Sequence, residues 1–364
     1  MEVPSLSEQT IRIGFIGARG IARQRHLPNL KKIPGIELVA VANRTLASAQ
    51  RVAADFGFKR ATDDWHELLA MPDIDAVFIT APPYLHAPAT LAALDLDKHV
   101  FCQARMAMNY EQAKAMYLAS LRTDRRTMLS PPPHAMLGDY LVRKWIREGY
   151  FGSIYEIHVH SLSAPYADPD SPLHWRQDAA ISGLNVLNLG MLVEVLHRWV
   201  GYFSRVSAHL RTYIPKRPMV GVGHLVPVTV PDSVAIIAEQ DSEPGKGGCS
   251  QAVMHFSGVT RFGGENRIEI YGSEASMIYY VDSHRILAAR KGDRELAPVE
   301  IPPDLRRQWT AEADFIRAIR EGTPVEPSFW DGLKYMEFTE AVYRSAGRDG
   351  CAVFLPFEEL PRPA

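Results

Sequence analysis

A chain of 364 residues, 46% apolar and 23% charged, has the composition of an ordinary globular protein and exceeds the ~250–300 residues at which one core stops growing, so two domains are expected. Forty basic against 42 acidic residues leave a net charge of −2, which excludes the broad positive field of a nucleic-acid or membrane-surface binder. Three scattered cysteines (Cys102, Cys249, Cys351) make no disulfide framework, Met1–Thr10 lacks an apolar signal core, and no run nears the ~18 apolar residues of a membrane helix; a cytoplasmic location is expected.

The chain is organised around Ile11-Arg-Ile-Gly-Phe-Ile-Gly-Ala-Arg-Gly-Ile-Ala-Arg23. Ile11, Ile13 and Ile16 predict a strand, Gly17 a tight turn, and Ile21, Leu27 and Leu30 a helix. That order aims backbone N–H groups and a helix dipole at a phosphate. Against the dinucleotide fingerprint G-x-G-x-x-G/A, Gly17 and Ala22 fill the first and third positions and Arg19 the second, with Gly20 and Ile21 in the turn. Further apolar runs predict strands at Ile36–Ala42, Asp75–Thr80 and His99–Cys102. Between and after them, Leu46–Phe56, Trp65–Met71, Tyr84–Leu96 and Glu111–Ser120 read as helices. Strands alternating with helices at this spacing predict a parallel, doubly wound sheet of Rossmann layout.

The pattern changes after Pro131-Pro-Pro133. One helix, Tyr140–Glu148, precedes strand-like runs at Ile154–Val159, Val206–Thr212, Val234–Ala238, Gln251–Ser257, Arg267–Tyr271 and Met277–Val281. They predict a mostly antiparallel sheet with one polar face. An apolar helix over Leu184–Trp199 interrupts it, Ser242–Gly248 reads as a polar hairpin tip or loop, and Trp309–Glu321 and Asp331–Ser345 read as closing helices. The fold class is therefore α/β: a Rossmann domain over residues 1–128 and an α+β domain with a large sheet over residues 129–364.

Several stretches together resemble the glucose-fructose oxidoreductase/inositol dehydrogenase/MocA (Gfo/Idh/MocA) family. They are the fingerprint followed by His26-Leu-Pro28, then Val39-Ala-Val-Ala-Asn-Arg44, Thr80-Ala-Pro-Pro-Tyr-Leu-His86 and Ala92-Ala-Leu-Asp-Leu-Asp-Lys-His-Val-Phe-Cys102. Gly149-Tyr-Phe-Gly152, Trp175-Arg176, Ile268-Glu-Ile-Tyr-Gly272 and the Asp331-Gly-Leu run continue the match in the family's order. The resemblance implies a bound nicotinamide dinucleotide and an open sheet that joins copies into a homodimer or homotetramer. It also exposes departures. Where relatives carry Glu-Lys-Pro after this strand, the chain has Gln103-Ala104-Arg105. Where they carry Asp-x-Gly-x-His, it has Asn188-Leu-Gly190-Met-Leu192. The lysine, aspartate and histidine of the family are thus an alanine, an amide and a leucine, none of which accepts a proton. A positioned base is worth ~10²–10⁴-fold in such chemistry.

Candidate residues follow from both readings. For the dinucleotide they are Gly17, Arg19, Gly20, Ile21, Ala22, Thr80, Ala81 and Pro82. The resemblance adds His86, Gln103, Trp175 and Arg176. Asn43-Arg44-Thr45 sits where an acid would hold an NAD ribose; with Arg44 there instead, a 2′-phosphate is better accommodated and NADP is favoured over NAD. His174, Arg105 and Asn188 are the catalytic candidates, with His174 preferred for moving protons or gripping substrate, and Arg105 able to polarise but not to act as base. His134, His158, His160, Tyr166 and Asn185 are substrate candidates. His158 and His160, at i and i+2 on a strand, share a face, and Asn185 and Asn188, three apart on the predicted helix, share another. No ligand pair with a third partner is visible, so no metal is expected. Three functions stay open. One is an NAD(P)-dependent oxidoreductase of a sugar, cyclitol, polyol or carbonyl compound with a rearranged acid–base set. The others are a dinucleotide-retaining lyase or glycosidase and a silent dinucleotide-binding protein.

Overall fold

The computed structural model describes residues 10–130, 136–241 and 250–362. The expected loop at Ser242–Gly248 and the candidate His134 lie outside them. The described chain divides into two compact units, one holding the residues up to 130 with 310–333, the other holding 136–309 with 334–361. The segment Thr310–Leu333, which the sequence division placed in the second domain, therefore packs in the first.

The first unit is built on six parallel strands: β1 (Ile11–Ile16), β2 (Ile36–Ala42), β3 (Arg60–Thr62), β4 (Ala76–Ile79), β5 (His99–Cys102) and β6 (Thr127–Leu129), in the order β3-β2-β1-β4-β5-β6. That 3-2-1-4-5-6 order is the Rossmann arrangement, in which ligands meet the carboxyl ends of the strands where the order reverses. Its central strands are largely apolar because helices cover both faces: β4 (Ala-Val-Phe-Ile) is buried at every position. Phe15 stacks on Phe78 and Phe78 on Phe101, with centroids 4.9 and 4.5 Å apart. Phe315 meets both Phe78 and Phe101 edge-on at 5.6 Å. Phe315 comes from the returning helix α9 (Ala311–Glu321), which explains why the chain must come back. A burial pattern on one helix does not reveal which sheet it will cover.

The second unit holds a nine-stranded sheet. Its strands are β7 (Ile154–Leu162), β8 (Arg205–Arg211), β11 (Ser233–Glu239), β12 (Gln251–Ser257), β13 (Arg267–Gly272), β14 (Ala275–Tyr280), β15 (Ile286–Arg290), β16 (Ala297–Val299) and β17 (Val353–Phe354). The order is β16-β15-β14-β13-β7-β12-β11-β8-β17, antiparallel except for the β7–β12 pair. Ile157, Val159 and Ser161 of β7 point to the buried face, whereas Glu156, His158 and His160 point the other way. A separate hairpin joins β9 (Lys216–Met219) to β10 (Val222–Pro227). The expected helix over Leu184–Trp199 is broken. A short helix, Ala179–Ser182, ends at Gly183 (φ +65), Leu187 adopts φ +46, and helix α8 begins only at Leu189 and runs to Val200. Apolar run length alone could not show these two left-handed positions.

Candidate active site

In the first unit the ends of β1, β2, β4 and β5 carry the dinucleotide candidates. Gly17 (φ +86) ends β1, donates its N–H to the Ala42 carbonyl at 2.8 Å, and accepts the Thr80 hydroxyl at 3.0 Å. A Cβ there would lie 2.5 Å from the Ala81 backbone, so both conformation and contact demand glycine. Beyond it Gly20 (φ +44) faces open space. The amides of Ala18, Gly20 and Ile21 find no acceptor among the described residues. Arg19 is exposed, and Ala22 is buried and starts the helical stretch Ala22–His26 and Leu27–Leu30. Free amides at a glycine turn running into a helix are what a pyrophosphate needs, so the residues fit a dinucleotide.

At the end of β2, Asn43 is 6% exposed, and neither atom of its carboxamide has a hydrogen-bond partner among the described residues. Arg44 is exposed and pairs with no carboxylate among them, and the Thr45 hydroxyl caps helix α2 (Leu46–Phe56) by accepting the Ser48 N–H at 3.3 Å. An unpartnered buried amide beside an unpaired arginine is a polar arrangement awaiting a partner.

His86 departs from expectation. It is 1% exposed, with Nε2 facing the Ala81 carbonyl at 2.6 Å and Nδ1 facing the carbonyls of Arg105 at 2.9 Å and Met106 at 3.2 Å. Burial lowers its pKa against the opposing pull of those carbonyls. The ring staples two loops and has no nitrogen left for a cofactor. Gln103 is held in turn by His26, whose Nε2 lies 2.9 Å from its Oε1, while His26 Nδ1 lies 2.5 Å from Glu312 Oε1 on α9. Ala104 offers no polar atom, and Arg105 is only 6% exposed.

In the second unit, Asn188 precedes α8 and donates from Nδ2 to the Ser161 hydroxyl at 3.2 Å. Ser161 was not among the candidates, although its alternation with Ile157 and Val159 marks it as inward-facing. Because α8 starts late, Asn185 and Asn188 do not share a helical face. Asn185 is instead a 1% exposed loop residue that donates to the Ser182 carbonyl at 2.7 Å. Leu192 is buried.

His158 and His160 lie on the sheet face opposite Ser161, so the structure does not bring them to Asn188. With Glu269 they form the sole grouping of potential metal ligands among the described residues, but that carboxylate already accepts Arg267 Nε and the Tyr271 hydroxyl, each at 2.6 Å. The remaining candidates of this unit, Tyr166, His174, Trp175 and Arg176, sit on the segment between β7 and α8. His174 accepts the Arg176 N–H on Nδ1 at 3.2 Å, so its proton resides on Nε2. Burial, and then the Arg176 charge, lower its pKa and keep it neutral. The Arg176 guanidinium stacks 4.2 Å from the Trp175 ring, and the Tyr166 ring lies 6.3 Å from that of His174.

Residues 11–130 match the oxidoreductase family with an NAD-binding Rossmann fold, GFO_IDH_MocA, and residues 141–278 match the GFO/IDH/MocA C-terminal domain. A levoglucosan dehydrogenase of Pseudarthrobacter phenanthrenivorans is 30% identical over 94% of this chain and 97% of its own length. An inositol 2-dehydrogenase of Rhizobium meliloti is 26% identical over 92% and 97%. The solved structure of levoglucosan dehydrogenase in complex with NADH and levoglucosan superposes with a TM-score of 0.85 at 26% identity, covering 96% of this chain and all of that one.

Proposed function

Because this chain belongs to the Gfo/Idh/MocA family and is an oxidoreductase of it, we propose that it transfers hydride between a nicotinamide dinucleotide and a sugar of the anhydrosugar or cyclitol kind. The observation that carries the reading is the Gly17 turn, with three unclaimed amides at the start of a helix. The dinucleotide, when bound, accepts or gives the hydride. What the chain adds is grip and orientation. Ala18, Gly20 and Ile21 offer N–H donors to phosphate oxygens, and the Asn43 carboxamide has both a donor and an acceptor for ribose hydroxyls.

Of the two dinucleotides, NADP is the one we infer, since Asn43-Arg44-Thr45 carries no carboxylate to receive a 2′-hydroxyl and Arg44 is free to meet a 2′-phosphate. On the sugar side, His174 presents Nε2–H and therefore donates to a substrate oxygen. Removing a substrate proton with Nε2 would first require losing its own. Asn188, with its N–H on Ser161, keeps a carbonyl oxygen for a sugar hydroxyl. The His174 donor facing an oxygen polarises a carbonyl, so reduction of a keto-sugar is the better-supported direction, with solvent supplying the proton.

Absorbance at the reduced-nicotinamide band, followed over a panel of anhydrosugars, cyclitols and keto-sugars with each dinucleotide, tests this. Turnover with at least one sugar, faster in the reductive direction and with NADPH, is expected. Dinucleotide binding with silence across the panel removes the sugar reading.

The open face of the large sheet exposes Ile237 (47%) and Val253 (42%) in its central strands, and we infer that copies of the chain join there as a dimer or tetramer.

A further inference from the structure

Arg217 is the one buried position of strand β9, at 1% exposure on a hairpin whose other residues are half or fully exposed. Burying a guanidinium is costly unless its donors are satisfied. No carboxylate pairs with it among the described residues. Its partners are backbone carbonyls. Nη1 donates to the Asp168 carbonyl at 2.6 Å and the Ser171 carbonyl at 3.3 Å, and Nη2 donates to the Tyr166 carbonyl. Three carbonyls of one loop therefore converge on one cation. The same hairpin touches the loop again, where the Leu173 N–H donates to the Pro218 carbonyl at 2.7 Å. Just past the hairpin, the Thr229 and Val230 amides donate to the Gln177 carbonyl.

The segment so held carries Tyr166, His174, Trp175 and Arg176. It has no strand partner of its own and only one short helical turn, at Trp175–Gln177. Outside the hairpin it is tethered by the Tyr166 N–H on the Gly258 carbonyl at 2.8 Å and by Arg261 on the Ala167 carbonyl at 3.3 Å, so Arg217 is the one group that gathers three of its carbonyls. We propose that Arg217 is a positioning residue for the sugar, folding the Tyr166–Gln177 segment around its guanidinium so that His174 presents Nε2–H at a set place. The inference rests on the sugar-oxidoreductase reading above. Lysine cannot substitute fully, because one ammonium lacks the planar fork that reaches several carbonyls at once.

The test compares Arg217→Met and Arg217→Lys with the unchanged protein by hydrogen–deuterium exchange, sugar kinetics and dinucleotide titration. In R217M, exchange at residues 163–178 rises at least about tenfold while β8 and β11 keep their protection. KM for the sugar rises about tenfold or more with a smaller change in kcat, and the dinucleotide Kd stays within about twofold; R217K lies between. Faster exchange spread over the whole C-terminal unit, or confined exchange with an unchanged sugar KM, overturns the proposal. Absence of any sugar-dependent signal from the unchanged protein instead removes the sugar reading, and the exchange pattern still decides whether Arg217 holds the segment.

Discussion

At the scale of single residues, the chain separates places where only one residue type works from places where the type sets a preference. Gly17 is of the first kind. Gly17→Ala combines a positive φ with a Cβ 2.5 Å from the Ala81 backbone, so a loss of about 2 kcal/mol or more in urea unfolding is expected, together with loss of dinucleotide binding in a fluorescence titration. Arg44 is of the second kind. It supports no ion pair among the described residues, so Arg44→Ala leaves the unfolding midpoint in place. If it meets a 2′-phosphate, the same variant weakens NADPH about tenfold, worth ~1.4 kcal/mol, and leaves NADH nearly unchanged. Equal effects on both nucleotides would remove the NADP preference.

At the scale of elements, two histidines illustrate how helices are tied to their units. His26 and Glu312 are 0% and 1% exposed and join the first helical stretch to α9. Glu312→Leu strands a buried imidazole and frees Gln103 to turn, at an expected cost of about 3 kcal/mol in urea unfolding, with a weaker dinucleotide Kd. His197 on α8 is different, since neither ring nitrogen has a hydrogen-bond partner among the described residues, and the rings of Tyr202, Phe203 and Phe338 lie 5.0 to 5.9 Å away. Burial, and then the charge of Lys334, push its pKa down to about 3. Above pH ~6.5 both folded and unfolded chains hold the ring neutral, and this part of stability is intact. As pH falls from there toward 3 the unfolded chain gains a proton that the folded one refuses, and stability is lost. His197→Phe should therefore lose less between pH 7 and pH 5, by about 2 kcal/mol in urea unfolding. An acid limb parallel to that of the unchanged protein would show that His197 is not the group responsible.

At the scale of the whole molecule, the open sheet face bears on how copies of the chain assemble. Val253→Glu and Ile237→Glu place charge on exposed apolar positions of β11 and β12 that a monomer would tolerate. If copies join through this face, light scattering after gel filtration shows smaller particles while the dinucleotide Kd is unmoved. An unchanged mass in both variants puts the contact elsewhere. Among the described residues no helix is long and apolar enough to cross a membrane.

Much of this was legible in the residues taken in order. Four of the six parallel strands (β1, β2, β4 and β5), the glycine turn and the family follow from local features: β-branched runs, helical spacing, and a few motifs each contained within a dozen positions; the three-residue β3 and β6 are too short to leave such a run. Those signals are short-range, because strand and helix preference and turn chemistry act between near neighbours in the chain. What only the tertiary structure decided involves partners far apart. His86 turns its ring nitrogens to three carbonyls, His158 and His160 face away from Asn188, and the Asn185–Asn188 pairing dissolves once α8 starts at Leu189. Arg217 finds its partners about fifty residues back along the chain, and Glu312 meets His26 across nearly the whole of it. Side-chain type and spacing state what a residue can bond to. Which group actually arrives is settled when the chain closes over itself, because burial makes each polar atom take whichever partner the packing brings within reach.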